Sequence, residues 1–253
     1  MSIKTAERNS GILPEDNVIH HRHLIAYYEA EKHISGNVLE IGSGEGYGLK
    51  ILAPKAETYV AVDKHKTPLE LGFPNVKFLQ MNVPPLLGLD NDSFDMAVCF
   101  QVIEHIKKDT LFLDEIKRVL KPGGKLILTT PNIKMSLTRN PWHVREYTLE
   151  KISTLLKKFN SVQIDGVFGN QKVMAYYEQN KRSVQKYTRW DILRLQYILP
   201  GWMLQIPYDL ANRMNRNKLM KNNTSLVNKV QTSDYYISKA DENCLDFFVI
   251  AQK

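Results

Sequence analysis

The sequence is poor in the features that mark secreted, membrane-spanning and repetitive proteins. Its 253 residues include two cysteines, Cys99 and Cys244, and both stand inside apolar runs, which favours buried side chains over a disulfide framework or a metal site. No apolar run approaches the roughly 18 residues that a membrane span requires, and positions 1–17 contain no apolar secretory core. Internal repeats and low-complexity tracts are also absent. We therefore expect a cytoplasmic globular protein.

Positive charge is concentrated in one part of the chain. The formal net charge is +7. Positions 170–230 contain eleven lysines and arginines against three acidic residues, and this surplus of eight (eleven minus three) exceeds the net charge of the whole chain. Such a segment indicates contact with anions, which include phosphate, nucleotides, nucleic acid and acidic membrane surfaces.

Short apolar runs alternate with segments of helical period. Between the fourth and fifth runs, the pattern predicts a helix with Asp109 as its N-cap and with Pro122 and Gly123 as its stop. This alternation is typical of a doubly wound α/β fold. The predicted strands are Asn37–Ile41, Tyr59–Val62, Val76–Gln80, Phe94–Phe100, Lys125–Thr130, Ser161–Val167 and Leu245–Ala251.

The stretch "NVLEIGSGEGYG", positions 37–48, places four glycines after the first predicted strand. Glycines at such a turn let the backbone bend sharply and let a ligand approach closely. Nicotinamide enzymes also begin in this way, with a pyrophosphate at the helix amino end. Here Glu40 precedes the first glycine by two residues and would repel a pyrophosphate, whereas it would attract a cationic ligand. Asp63 ends the second strand, where a carboxylate can accept both ribose hydroxyls of a nucleoside.

Five segments, in this order and at ordinary spacings, resemble the class I family of S-adenosylmethionine-dependent methyltransferases: "VLEIGSGEG", "VDK", "SFD", "QVIEH" and "LKPGG". The resemblance covers positions 20–168 and the last strand, and it is strongest to the small-molecule and glycan-modifying branch that includes ubiquinone-biosynthesis methyltransferases. It implies a Rossmann-like, doubly wound sheet of seven strands. The last strand is expected to be antiparallel, with a helical insertion between strands six and seven.

The same resemblance implies S-adenosylmethionine as the cofactor and assigns residues to it. Asn82 stands where the family frequently has Asp, and its amide oxygen can accept the same hydrogen bond. The implied contacts are Glu40, Gly42, Ser43, Gly44 and Gly46 at the methionine part, Asp63 at the ribose, Lys64, Asn82 and Val83 at the adenine, Gln101 at the methionyl portion and His105 on the cofactor side.

The candidate catalytic residue is His143, in the segment "NPWHVREYT" at positions 140–148. By the resemblance, this loop opens over the acceptor pocket. An imidazole titrates in the range that suits a general base. A structural role is the alternative, in which His143 and Glu146 pin the loop to the next helix and Thr148 caps that helix. A structural role is also open to His105.

The segment at positions 18–36 predicts a helix that closes over the cofactor, with His23 or Tyr27 touching it. Three of its histidines, His20, His21 and His23, lie close together. The sequence offers them no partners at metal-ligand spacing, and we predict no metal site.

We predict a methyltransferase domain from positions 1–168 and 244–253, with a basic, aromatic-rich helical insertion at 169–243. Three functional roles are open to the insertion, and the fourth alternative is a helical cap that only packs on the sheet. The insertion can cover a small-molecule acceptor, anionic or lipid-linked, it can contact a membrane peripherally, or it can form a homodimer surface. Its predicted apolar surface consists of Trp190, Leu193, Tyr197, Trp202, Met203 and Ile206.

We expect an enzyme that methylates a hydroxyl of a small metabolite or of a glycan or lipid precursor. N- or C-methylation and a nucleic-acid acceptor are alternatives. A nucleic-acid acceptor is disfavoured because the chain lacks an appended RNA-binding module and the N-P-P-Y type motif of base-methylating relatives. A non-catalytic cofactor-binding protein is the remaining alternative. It would predict a damaged glycine turn or a lost ribose carboxylate, and the sequence has both intact.

Overall fold

A computed structural model describes residues 13–66, 72–189, 191, 195–222 and 224–253. Its centre is a mixed sheet, and the strands of this described part follow in the order β3-β2-β1-β4-β5-β8-β6-β7. All seven predicted strands are present to within a few residues. The strands are β1 (Asn37–Ile41), β2 (Thr58–Asp63), β3 (Val76–Gln80), β4 (Phe94–Phe100), β5 (Leu120–Pro131), β6 (Ser161–Gly169), β7 (Tyr235–Lys239) and β8 (Asp246–Gln252).

The first five strands are parallel, and β8 runs antiparallel between β5 and β6. The predicted antiparallel last strand is therefore confirmed. The predicted count of seven strands is wrong, because β7 adds an eighth strand antiparallel to β6. This short strand lies within the insertion. It covers a sheet edge whose backbone N–H and C=O groups would otherwise have no strand partner.

Helices cover both faces of the sheet, as a doubly wound fold requires. They are α1 (Asn17–Glu31), α2 (Tyr47–Ile51), α3 (Asp109–Val119), α4 (Leu149–Leu155), α5 (Gln171–Thr188), α6 (Leu195–Ile198), α7 (Gly201–Asn222) and α8 (Thr224–Lys229). The helix α3 differs from the prediction at both ends. Lys108 occupies the N-cap position, because the Asp109 carboxylate instead accepts from Tyr147 Oη at 3.0 Å and pairs with Arg145. The helix also ends at Val119, since the backbone becomes extended at Leu120 and begins β5.

Successive side chains of a strand point to opposite faces of the sheet, so β1 contributes to two core clusters. Val38 joins a cluster with residues of α1, α5, α7 and α8, whereas Leu39 and Ile41 join a cluster with residues of α3 and α4. The helices of the insertion therefore pack on the same face as α1. The division at position 169 stays a prediction.

One ion pair joins α1 to the last strand. Arg22 on α1 contacts both carboxylate oxygens of Asp246, and its Nη2 also donates to the Leu245 carbonyl at 2.8 Å. The Asp246 side chain is 2% exposed and that of Arg22 is 26% exposed. Such a pair is costly to break, because either partner alone would leave a poorly solvated charge.

We predict that Asp246→Ala lowers the free energy of unfolding by about 3 kcal/mol, at the lower end for a buried pair because Arg22 keeps some contact with water. Urea denaturation followed by circular dichroism measures this change. The matched control is Glu29→Ala, which breaks the exposed pair of Glu29 with Lys32 and is expected to change the free energy of unfolding by less than about 0.5 kcal/mol. Equal effects of the two substitutions would contradict a structural role for the Arg22 pair.

Candidate active site

Two cavities meet at the carboxyl ends of the parallel strands, where ligands bind in open α/β sheets. The glycine-loop cavity, of about 420 Å³, is lined by the turn after β1 and by the ends of β2 and β3. The α7 cavity, of about 410 Å³, lies under α1, α5 and α7. Their walls share His23, Gln101 and His105. The two cavities therefore adjoin at these three residues.

The turn after β1 needs glycine for its backbone angles. Gly42, Gly44 and Gly46 have φ values of 81°, 51° and 82°, in the left-handed region that glycine tolerates. At Gly42 a Cβ atom would also stand 2.2 Å from a methyl carbon of Val102. Gly42, Ser43 and Gly44 line the cavity, and Gly46 ends the turn at the start of α2. The turn thus offers a wall of backbone with few side chains.

Asp63 ties the end of β2 to this turn. Its Oδ2 accepts from Gly44 N–H at 2.9 Å and its Oδ1 from His65 N–H at 2.8 Å. Each carboxylate oxygen has a second acceptor site, so Asp63 can still accept hydroxyl groups from a ligand. The residues predicted at the adenine, Lys64, Asn82 and Val83, line the same cavity.

Glu40 lies behind the cavity wall. Its two oxygens accept from Tyr27 Oη at 3.0 Å and Tyr59 Oη at 2.9 Å, and burial raises its pKa to about 7. Tyr27, and not Glu40, lines the glycine-loop cavity. Gly48 makes room for this arrangement, because a Cβ there would stand 2.4 Å from Glu40 Oε1. Glu40 therefore positions Tyr27 in the cavity wall. The sequence instead predicts that Glu40 itself contacts the ligand.

Gln101 follows β4 in a strained conformation. Its φ of 56° is unusual for a residue with a side chain. The backbone N–H donates to the Thr129 carbonyl at 3.0 Å, and Nε2 donates to Thr129 Oγ1 at 3.3 Å. Both bonds hold the strained residue at the boundary of the two cavities, which is the kind of place where backbone strain accumulates in functional sites.

Three ionisable side chains meet where the β4 exit touches the loop after β5. Glu104, His105 and His143 each place one oxygen or nitrogen within 4.8 Å of the others, and the two imidazole centroids are 4.9 Å apart. Val144 N–H holds the loop there by donating to the Glu104 carbonyl at 2.8 Å. All three side chains line the α7 cavity, and His105 also lines the glycine-loop cavity. The cluster therefore lies at the junction of the two cavities.

Hydrogen bonds fix both imidazole rings. His105 Nδ1 lies 3.0 Å from the Trp142 carbonyl and His143 Nδ1 lies 2.7 Å from Glu146 Oε1. Because these oxygens accept, each Nδ1 carries a hydrogen, and in the neutral ring Nε2 keeps its lone pair. His143 Nε2 stands 2.9 Å from Asn140 Nδ2. The loop-pinning contact predicted for His143 is thus present, and the general base stays a prediction.

The neighbouring cap is confirmed. Thr148 Oγ1 accepts from Lys151 N–H at 3.2 Å at the start of α4. The helix α1 brings His23 to the walls of both cavities, where burial lowers the histidine pKa to about 4. His21 instead bonds Thr232 through Nδ1 at 2.8 Å.

Two residues of the site, Trp142 and Glu104, were not predicted from the sequence. Trp142 lines the glycine-loop cavity and donates from Nε1 to Asp209 Oδ1 of α7 at 3.1 Å. Glu104 is 1% exposed. Its position among Val102, Ile103 and Ile106 is a signal that could have marked it, since an acid in an apolar run is often buried for a reason. No comparable signal marks Trp142, which reaches the site through tertiary packing.

The wall of the α7 cavity combines apolar side chains with amides, phenols and a few charged groups. Its two arginines, Arg22 and Arg216, are paired with Asp246 and Asp16. The rest of the polar wall includes Asn132, Tyr177, Asn180, Asn212 and Asn215. Trp190 and Leu193, which were predicted in an apolar surface of the insertion, lie outside the described residues.

Comparison with known proteins agrees with this geometry. Residues 39–128 match a protein family described as a methyltransferase domain. A probable S-adenosylmethionine-dependent methyltransferase of Mycobacterium tuberculosis is 36% identical over 175 residues, which are 65% of this chain and 64% of that protein. A ubiquinone biosynthesis O-methyltransferase of Paracidovorax citrulli is 27% identical over 103 residues, 38% of this chain and 43% of that protein. The chain thus spans less than two thirds of the length of these relatives.

Among solved structures, the YcgJ protein of Bacillus subtilis is similar with a TM-score of 0.54 and 17% sequence identity, over 91% of this chain and 99% of that one. Similarity at this identity establishes the shared fold. The matched family segment runs from within β1 to within β5, so it contains the glycine turn, Asp63 and Gln101 in the order in which they build the cavity. Residues 39–128 therefore form a methyltransferase domain, and the chain is similar to S-adenosylmethionine-dependent methyltransferases.

Proposed function

We propose that the protein transfers the methyl group of S-adenosylmethionine to a hydroxyl of a small polar molecule or of a glycan or lipid precursor. The observation that carries this proposal is the junction of the two cavities at Gln101 and His105. One cavity has the glycine turn and the acidic strand end that suit a nucleoside, and the other has amides and phenols that can bind a polar acceptor among apolar side chains. Methyl transfer requires the two molecules to meet in line at about 3 Å.

The glycine-loop cavity fits the cofactor in shape and in charge. Asp63 would accept the ribose hydroxyls, Asn82 would meet the adenine, and the backbone at Gly42 and Gly44 would lie against the methionine part. Tyr27, held by Glu40, would close this cavity from α1. When bound, S-adenosylmethionine supplies an activated methyl group on a sulfonium. The protein then has to align the acceptor oxygen and remove its proton.

A hydroxyl acceptor is favoured by the histidines at the junction. A hydroxyl must lose its proton during transfer, and the neutral His105 and His143 rings have their acceptor nitrogen at Nε2, which in His143 now lies 2.9 Å from the Asn140 amide nitrogen. The amides and phenols of the α7 cavity can donate to and accept from the other hydroxyls of a sugar or polyol. The O-methyltransferase among the relatives supports the same choice.

The other acceptors are less well supported. A nucleic-acid substrate would need unpaired cations along its path, whereas both arginines in the cavity wall are engaged by aspartates. A non-catalytic role would have no use for two ionisable imidazoles at the junction. Acceptor nitrogen or carbon atoms are the second candidate class, and product analysis distinguishes them from hydroxyls.

The direct test is a structure with S-adenosylhomocysteine, combined with transfer of labelled methyl groups from S-adenosylmethionine to fractionated polar metabolites and lipids. We expect the sulfur to face the junction and the label to appear as a methyl ether. Labelled amines would move the assignment to N-methylation. Failure to bind S-adenosylhomocysteine would overturn the proposal.

We predict that Asp63→Ala weakens binding of S-adenosylhomocysteine by about 1–3 kcal/mol, roughly 5- to 150-fold, because charged hydrogen bonds to the ribose are lost. Isothermal titration calorimetry measures this affinity. The matched control is Glu57→Ala, since Glu57 is an exposed acid that precedes the opposite end of the same strand. Equal affinities of the Asp63 and Glu57 variants for S-adenosylhomocysteine would contradict a role for Asp63 in binding the ribose.

We also predict that affinity for S-adenosylmethionine increases from about pH 6 to about pH 8, by about three- to tenfold. The pKa of Glu40 is about 7, so its carboxylate becomes ionised over this range and attracts the cationic ligand more strongly. The ionisable groups facing Glu40 are Tyr27, Tyr59 and Asp63.

Calorimetric titrations across this range provide the measurement. Two controls follow from the charge argument: Glu40→Gln should flatten the pH dependence, and S-adenosylhomocysteine, which lacks the sulfonium charge, should show a smaller one. A wild-type affinity that falls as pH rises would contradict the role of Glu40.

A further inference from the structure

The Glu104, His105 and His143 side chains form a set of metal ligands at the cavity junction. Two imidazoles and one carboxylate leave coordination positions open, which is typical of catalytic sites for divalent metals. We propose that these three residues bind a divalent first-row transition ion, such as zinc or manganese, and that the ion holds the acceptor hydroxyl during methyl transfer. The second part of this proposal rests on the proposed function.

Glu104 supplies an observation of its own. The side chain is buried, with Oε2 accepting from Thr130 Oγ1 at 3.1 Å, while Oε1 is buried and has no hydrogen-bond partner among the described residues. A buried carboxylate oxygen without a partner is costly. A cation beside this oxygen would stabilise the ionised carboxylate.

The rings have the outer contacts that metal-binding histidines usually have. His105 donates from Nδ1 to the Trp142 carbonyl and His143 from Nδ1 to the Glu146 carboxylate. Such contacts fix the tautomer in which Nε2 can bind a metal. The Asn140 amide, now beside His143 Nε2, would turn aside. Ligand atoms around a bound ion stand about 3.3 Å apart, given bonds of about 2.0–2.1 Å, so the cluster, whose atoms lie within 4.8 Å of one another, would contract when the ion binds.

An ion at this place gives the acceptor hydroxyl a route to deprotonation. Coordination lowers the pKa of the bound hydroxyl, whose proton passes to water. The acceptor oxygen then forms a bond to the methyl carbon while the carbon–sulfur bond breaks, and the electron pair stays on the sulfur of S-adenosylhomocysteine. In this arrangement His143 holds the ion and does not itself accept the proton.

The sequence prediction of no metal site considered the histidines of α1, which lie close together in the chain. The ligands proposed here come from two loops separated by 38 positions (His143 minus His105). Only the fold brings them together, through the contact between the Glu104 carbonyl and Val144 N–H.

The test uses the full chain after dialysis against a chelator. Zinc is titrated by calorimetry and cobalt by its visible absorption, and we expect one ion per chain. Glu104→Gln and His143→Asn are expected to weaken binding by at least about 100-fold, and Glu146→Gln by about 10- to 100-fold. His33→Asn, a histidine after α1 and away from the cluster, should bind like wild type. The proposed metal site would be overturned if the wild-type protein did not bind one ion per chain. It would also be overturned if both ligand variants, Glu104→Gln and His143→Asn, bound the ion as tightly as wild type.

Two further readouts keep this proposal separate from the proposed function. Methyl transfer by the metal-free protein should be lost and should return when the ion is added. Full activity without metal would overturn the catalytic role of the ion. Binding of S-adenosylhomocysteine by the same metal-free sample tests the proposed function alone, because Asp63 and the glycine turn are not ligands of the ion.

A separate feature is the outer face of α7. Trp202, Ile206, Leu210 and Met214 recur every four residues and form the α7 stripe, in which each side chain is 61–72% exposed. Tyr197 and Ile198 of α6 are similarly exposed, at 62% and 70%. The opposite face of α7 lines the α7 cavity through Tyr208, Ala211, Asn212 and Asn215. The helix thus separates the cavity from an apolar outer surface.

We propose that the α7 stripe docks on an anionic membrane surface. Positions 170–230, which include the stripe, have a surplus of eight positive charges. This charge complements acidic lipid headgroups, whereas a dimer through the same face would bring two such segments together. An apolar face flanked by lysine and arginine is typical of helices that lie in the membrane interface. No helix among the described residues is long and apolar enough to cross a bilayer.

Sedimentation with vesicles tests this proposal. We expect binding to vesicles of phosphatidylcholine mixed with phosphatidylglycerol and much weaker binding to phosphatidylcholine alone. Trp202→Ser combined with Ile206→Ser should lower partitioning by at least about tenfold. Leu87→Ser, which changes an equally exposed side chain outside the insertion (71%), should partition like wild type. Protein that stays in the supernatant with anionic vesicles would overturn the proposal, and so would a dimer by light scattering that the double variant dissociates.

Discussion

The hydrogen bond from Gly44 N–H to the Asp63 carboxylate joins the two strand ends on which the ligand cavity depends. It can form because the glycines of the turn adopt left-handed angles, and it directs the backbone toward the end of β2. The turn then offers backbone where other residues would present side chains. Behind it, the buried Glu40 holds Tyr27 and Tyr59. Two acidic groups thus lie beside one glycine-rich turn, and this combination suits a cationic nucleoside.

Much of this arrangement could be predicted from the sequence, because it depends on local patterns. The glycine spacing, the acidic residue after β2 and the apolar runs identify β1 to β5 and their order. The Thr148 cap also follows from neighbouring residues. By contrast, β7 was missed because five residues of modest apolar character form a strand only when β6 offers an edge. The N-cap of α3 was misplaced because Asp109 has partners, Arg145 and Tyr147, in a distant loop.

In the candidate site, too, some residues could be predicted from local sequence and others depend on tertiary contacts. The residues predicted at the adenine and ribose follow strand ends and line one cavity. The sequence predicts Glu40 as a direct contact, whereas the cavity wall contains Tyr27 of α1, which donates to Glu40. The cluster of Glu104, His105 and His143 arises from the packing of two loops. Sequence spacing cannot specify such long-range contacts, and the chemistry at the junction therefore depends on the tertiary structure.

The central claim is that the acidic strand ends and the glycine turn select a sulfonium nucleoside over a dinucleotide. Calorimetric titration of the same protein with S-adenosylmethionine and with NADH tests it most directly. The account predicts saturable binding of S-adenosylmethionine at one site per chain and no heat of binding for NADH. Binding of NADH with no response to S-adenosylmethionine would contradict it.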